Sequence, residues 1–269
     1  MAFDLNTDTA KARIAVHKFS SCDGCQLAFL NAGEALLTLS QLVEIKHFAE
    51  AGPVDPEASV DIAFVEGSIT TPHEEARIQQ VRANSQFLIT IGACATSGGL
   101  QALRNHADAA EWMQAVYASP EFIDTLPTST PIADHVRVDL ELWGCPVNGQ
   151  QVLGAVRALL FGVKPLQQHD KVCLECKRQG HVCVMVTQNE PCMGAVTLTG
   201  CGALCPSIGR ACYACYGPAE KTNTSSLSHR FEGFGLMPED ISRRFLSINN
   251  HAPPFANAAA EAAKKEHDG

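Results

Sequence analysis

The sequence predicts an α/β protein: a doubly wound, mostly parallel sheet over residues 11–165, then an irregular cysteine-rich domain over residues 166–269. Three observations carry this reading. Short apolar strands alternate with helical patterns through the first part. Of the 12 cysteines, Cys22, Cys25, Cys94 and Cys145 stand there, and the rest crowd between Cys173 and Cys215. The density changes near Lys164-Pro165, just after an apolar segment, and the domain boundary is drawn there.

Taken in order, Arg13 to Phe19 (RIAVHKF) reads as the first strand, and a short loop then holds Cys22 and Cys25. Gln26 to Leu39 has helical spacing through Leu27, Leu30, Ala35 and Leu39. Val43 to Phe48 and Val60 to Val65 read as strands, the latter followed by Glu66-Gly67. Thr71-Pro72 starts a helix, with Thr71 as N-cap, proline at the first helical position, and Glu74 and Glu75 in the first turn. Phe87 to Ile91 is nearly all apolar, as a strand buried on both faces should be. Val136 to Trp143 is a further strand, and Gln150 to Phe161 closes the domain as a helix. The second part is rich in Gly, Pro and Cys, with little periodicity, so metal clusters are expected to supply folding energy its small core cannot. Its tail, AAAEAAKKEHDG, reads as a frayed helix or a weakly ordered end.

Composition narrows the function. Hydrophobic residues at 46% and charged residues at 18% suit a chain with a real core. A net charge of -9 without a basic stripe argues against nucleic acid. The longest apolar stretch, Val152 to Val163, contains Arg157 and is too short for a membrane span. The N-terminal MAFDLNTDTAKAR has neither an apolar export segment nor a twin-arginine pair, so a cytoplasmic location is expected. A reducing cytoplasm disfavours structural disulfides, which leaves metal ligation as the use for paired cysteines. Twelve thiols also make three sets of four, the number an iron–sulfur cubane takes.

In doubly wound sheets, ligands sit beyond the carboxyl ends of the strands. Cys22 and Cys25 follow RIAVHKF, Cys94 follows FLITIG, and Cys145 follows VDLELWG, so four residues far apart in sequence are expected to meet at one sheet edge. In Cys22-Asp23-Gly24-Cys25 the spacing lets two thiolates from one loop reach one site; a lone C-x2-C is also the signature of a redox pair or half a zinc site. Glycine stands one or two residues before Cys94 and Cys145, where it lets the backbone approach a bulky cluster; the plainer reading is a buried structural thiol. The late cysteines divide into Cys173, Cys176, Cys183 and Cys192, and Cys201, Cys205, Cys212 and Cys215, with Cys192 and Cys201 the members open to exchange. Two four-thiolate zinc sites fit the same spacing.

Other motifs carry less. GACATSGG at 92–99 lacks the lysine of a phosphate loop, His73-Glu74-Glu75-Ala76-Arg77 is not H-E-x-x-H, and Asn223-Thr224-Ser225 is a glycosylation sequon of no use in the cytoplasm. His181 is expected to face solvent, since thiolates are available around it. Asp23, Glu66 and His17 could relay protons near the first site, but read more simply as polar groups near strand ends. There is no G-x-S-x-G elbow or Ser–His–Asp signature.

CDGCQ, VEGSI, GACATSGG, GCPVNG and then CLEC, PCMGAVTLTGCGALCP and CYAC together resemble the small subunit of cytoplasmic nickel–iron hydrogenases: the delta type of sulfhydrogenases and NAD(P)-linked enzymes, and the subunits of deazaflavin-reducing and non-reducing enzymes. The resemblance covers residues 13–218. It implies a flavodoxin-like N-terminal domain and three 4Fe-4S clusters: proximal on Cys22, Cys25, Cys94 and Cys145, distal on Cys173, Cys176, Cys183 and Cys192, and medial on Cys201, Cys205, Cys212 and Cys215. The hydrogen-activating nickel–iron centre would belong to a large subunit, and flavin- and iron–sulfur-bearing NAD(P)-reducing subunits would be further partners. The chain would thus be the electron-transfer subunit of an oxidoreductase.

Three features depart from exported relatives: no twin-arginine leader, Cys173 in place of a distal histidine ligand, and Cys205 near the corner that a three-iron medial cluster leaves vacant. Gln26 stands where many relatives are acidic. A related complex I subunit, linked to quinone, has a tandem Cys-Cys motif and no cysteine-rich tail, unlike this chain. A zinc-stabilised interaction module is the alternative from another class.

Overall fold

A computed structural model of the protein describes residues 11–267; the first ten positions of the N-terminal stretch and the last two of the tail lie outside the described residues. The chain divides into two units, Met1–Gln167 and Gln168–Gly269.

The first unit is built on five strands: β1 (Ala12–Lys18), β2 (Val43–Phe48), β3 (Val60–Glu66), β4 (Ser85–Ile91) and β5 (Leu140–Leu142). They form one parallel sheet in the order β2-β1-β3-β4-β5, the arrangement of flavodoxin-like folds. Ile14 registers with Ile62, Ile62 with Phe87, and Ile91 with Leu142. The near-continuous apolar runs of β1, β3 and β4 follow from burial on both faces. One face packs Ile14, Val16 and Phe64 with Phe29, Phe48, Val152 and Val156; the other packs Ala15, Phe19, Val65 and Leu88 with Ile78 and Ile132. The Phe29 ring lies 5.8 Å from Phe48 and 5.7 Å from Phe64, an aromatic knot that fixes the segment after the first cysteine loop.

The helices of this unit are α1 (Gly24–Leu30), α2 (Glu34–Leu42), α3 (Pro72–Ala83), α4 (Gly92–Ser97), α5 (Ala109–Val116) and α6 (Gly149–Leu160). Thr71 and Glu74 form a capping box: the Glu74 N–H donates to the Thr71 hydroxyl at 3.2 Å, and the Thr71 N–H donates to the Glu74 carboxylate at 3.2 Å.

Two expectations need correction. The helix expected over Gln26–Leu39 is two helices, because Gly33 takes φ 60 between them. The strand expected over Val136–Trp143 shrinks to Leu140–Leu142 because Ile132–Asp134 forms a 3-10 turn whose Ile132 carbonyl still accepts the Val136 N–H. GACATSGG continues β4 directly into α4.

The second unit holds short helices α7 (Val172–Arg178), α8 (Val184–Thr187) and α9 (Leu204–Ser207) among turns. Three longer helices follow, α10 (Thr224–Glu232), α11 (Pro238–Phe245) and α12 (Pro253–His267). The tail, expected as a frayed helix or a weakly ordered end, is helical as far as His267. Alanine-rich sequence favours helix, and Phe231, Phe245 and Phe255 are fully buried, which gives this unit an apolar core that the pattern did not reveal.

Candidate metal centre

The first unit brings Cys22, Cys25, Cys94 and Cys145 to the carboxyl edge of its sheet. Cys22 and Cys25 follow β1, Cys94 is in the first turn of α4 beyond β4, and Cys145 comes three residues after β5. Main-chain bonds tie the loops together. The Ala93 N–H donates to the Gly144 carbonyl at 2.7 Å, linking the Cys94 and Cys145 segments. The Val147 N–H donates to Cys25 Sγ at 3.4 Å, linking the Cys145 segment to the first loop. The thiols lie within electrostatic reach of one another: Cys94 and Cys145 act on Cys25, and Cys22 acts on both Cys94 and Cys145. All 12 cysteines are free thiols.

Burial sets the chemistry of these thiols. It pushes Cys25 and Cys145 above the ordinary thiol value, and Cys94 up to about 11, against a partial offset from main-chain donors at Cys25 and Cys94. Neighbouring thiols that resist ionisation in this way are poorly suited to free redox chemistry, but become stable thiolates once a cation repays their desolvation.

Glycine shapes the cradle. Gly92 has φ 86, and a Cβ there would collide with Cys25 Sγ. Gly24, within the C-x2-C loop, would place a Cβ 3.3 Å from Cys22 Sγ. The donor set and these side-chain-free approaches fit a four-thiolate iron–sulfur cluster.

Glu66 is the functional residue that the sequence undersold. It is 2% exposed at the end of β3, and its carboxylate accepts the Cys25 N–H at 3.0 Å and the Gln26 N–H at 3.2 Å. It anchors the loop that presents Cys25, while burial pushes its own pKa above the usual carboxylate range. Its place one residue before Gly67 was the available signal. Asp23, in left-handed backbone with φ 65, pairs with Lys18 at 2.7 Å. The His17 ring stacks on His47 at 4.7 Å and feels the Arg77 cation.

In the second unit, Cys173, Cys183 and Cys192 all act electrostatically on Cys176, so that set of four is drawn together. Cys212 neighbours Cys215 and Cys192, and its N–H donates to Cys192 Sγ at 3.2 Å. Cys201 accepts main-chain bonds from Ala203 and Leu204 and faces Glu175, and Cys205 sits on α9. Of the last set, Cys212 and Cys215 interact electrostatically. His181 bonds to Gln179 at 2.7 Å. Asn223 caps α10 by accepting the Ser226 N–H at 2.9 Å. Among the described residues, no three His, Cys, Asp or Glu side chains are gathered for a single metal ion. No helix among them is long and apolar enough to cross a membrane.

Residues 22–159 match the family model described as NADH ubiquinone oxidoreductase, 20 Kd subunit. The chain is 31% identical over 236 residues to the sulfhydrogenase 2 subunit delta of Pyrococcus furiosus, covering 88% of this chain and 98% of that one. It is 29% identical over 277 residues to a component of the vhu F420-non-reducing hydrogenase of Methanococcus voltae, covering 91% and 96%. A crystal structure of an NAD+-reducing NiFe-hydrogenase in the H2-reduced state contains a chain that superposes with a TM-score of 0.55 at 28% identity, over 58% of this chain and 95% of that one. The protein belongs to the NADH ubiquinone oxidoreductase 20 Kd subunit family, as an oxidoreductase subunit of the hydrogenase type, a small subunit of nickel–iron hydrogenase.

Proposed function

We propose that this chain is the electron-transfer small subunit of a cytoplasmic hydrogenase, relaying electrons between a nickel–iron large subunit and a diaphorase-type or other redox partner through three 4Fe-4S clusters. The observation that carries the reading is the meeting of Cys22, Cys25, Cys94 and Cys145 at the carboxyl edge of the sheet, with Gly92 leaving room at Cys25 Sγ. Cys173, Cys176, Cys183 and Cys192 would hold the distal cluster, and Cys201, Cys205, Cys212 and Cys215 the medial one.

When bound, such a cluster takes up and releases single electrons with little change of shape. The protein's part is to hold and tune. Glu66 fixes the loop of Cys25 through two main-chain N–H groups. The Val147 N–H bonds Cys25 Sγ, and the N–H groups of Cys212 and Ala214 bond Cys192 Sγ and Cys212 Sγ; such donors to sulfur stabilise the more negative state and raise the potential. Rigid strand ends limit rearrangement during transfer.

The family description, over residues 22–159, favours a second reading as a complex I-like, quinone-linked subunit. The hydrogenase relatives support the first more strongly because they match across the cysteine-rich second unit as well. Isolation of the native complex separates the two: nickel in the co-purified large partner is the expected result, and a nickel-free partner that reduces quinone would overturn it.

A further inference from the structure

The second unit carries an open cleft of about 450 Å³, within the size range of small-molecule sites. Pro191, Leu236 and the Tyr213 ring supply apolar walls, and Arg243, Arg244 and Ser247 supply polar ones. The two arginines differ. Arg243 is held by Glu239 at 3.3 Å and by Asp240, itself at the cleft, at 3.2 Å. Arg244 sits 5.2 Å from the centre of the Tyr213 ring, and among the described residues no carboxylate forms an ion pair with it. Arg210 lies against the same ring at 5.9 Å and donates to the Tyr213 hydroxyl at 3.5 Å. Two guanidinium groups thus converge on one half-exposed tyrosine in a chain whose net charge is -9.

A cation without a carboxylate partner, beside a hydroxyl and an apolar wall, is the pattern that recognises an anionic head on an apolar body. We propose that this cleft binds a small organic anion, a phosphate monoester or a carboxylate. Arg244 donates to its charged head, the Ser247 hydroxyl gives a second donor, and Tyr213, Leu236 and Pro191 enclose its body. The location carries a consequence. Tyr213 lies between Cys212 and Cys215, and Pro191 precedes Cys192. If those thiols hold clusters, as proposed above, an occupied cleft sets negative charge beside them and shifts their reduction potentials downward. The cleft itself needs no iron.

Calorimetric titration of the intact protein at low salt with phenyl phosphate and, separately, benzoate tests the proposal. Saturable binding at one site is expected, at least tenfold weaker in Arg244→Gln and partly restored in Arg244→Lys. The tighter of the two probes identifies the head group. Protection of Arg244 from phenylglyoxal by the same probe reads the site in the unaltered chain, should a variant fold poorly. Absence of saturable binding for both probes, binding indifferent to Arg244→Gln, or no protection of Arg244 would overturn it. A redox titration with and without the bound probe reads the consequence separately: unchanged potentials alongside intact binding would contradict the placing of a cluster beside the cleft and leave the anion site standing.

Discussion

Gly92→Ala separates backbone strain from site occupancy. Gly92 adopts φ 86, and its missing Cβ is the space beside Cys25 Sγ. An alanine forced into left-handed backbone costs on the order of 1–2 kcal/mol. Gly33→Ala also forces a side chain into positive-φ backbone, at φ 60 and ψ −128, with nothing within 4 Å of the new Cβ. Both substitutions should therefore lower stability through the backbone, and they differ in what happens to Cys25. In Gly33→Ala the four thiols keep their positions and iron should stay at about 12 per chain, the content of three cubanes. In Gly92→Ala the sulfur must move, and iron should fall to about 8 per chain as the proximal site empties. Thermal unfolding gives the first quantity, and iron and labile sulfide analysis the second. Full iron in Gly92→Ala, in a chain that folds, would refute the geometric argument for the proximal site.

Other outcomes follow from the same geometry. Glu66→Ala leaves the Cys25 and Gln26 N–H groups without their buried acceptor; at about 1–3 kcal/mol per donor, the loss of stability should be on the order of 2–6 kcal/mol by denaturant titration, and a change below about 0.5 kcal/mol would mean that water replaces the carboxylate. His17 is held to about 3 by burial first, then by His47 and Arg77, against 6.5 in the unfolded chain. The unfolded state therefore binds the extra proton, so this contribution is complete above about pH 6.5 and is lost as pH falls toward 3, by about 2 kcal/mol at pH 5. His17→Gln should flatten the acid limb of the stability curve between about pH 6.5 and 4; an unaltered slope would contradict the assignment. Cys205→Pro should convert the middle cluster toward a three-iron form, visible by electron paramagnetic resonance in the oxidised protein; unchanged spectra would count against Cys205 as a ligand.

What could be read from the sequence had a physical basis, and so did what could not. β1, β3 and β4 were visible because strands buried on both faces must be nearly all apolar. The start of α3 was visible because Thr71, Pro72 and Glu74 each solve a helix-end problem locally. The break at Gly33 was hidden because the helical spacing of leucines runs straight through it. β5 was overestimated because burial of Val136 and Ile132 against α3 gives a strand-like pattern to what is a turn. The core of α10–α12 rests on Phe231, Phe245 and Phe255, too widely spaced for a periodic signal. At the site, strand-end positions foretold the convergence of the four early cysteines. The carboxylate of Glu66 could not be foreseen in its role, because it accepts from main-chain N–H groups about 40 residues away in the chain, and such bonds leave no side-chain pattern.

The most direct test of the central claim is the metal content of the chain isolated without air. Iron and acid-labile sulfide should each approach about 12 per chain, with broad visible absorption that bleaches on reduction. A colourless chain carrying zinc and no iron would contradict the account.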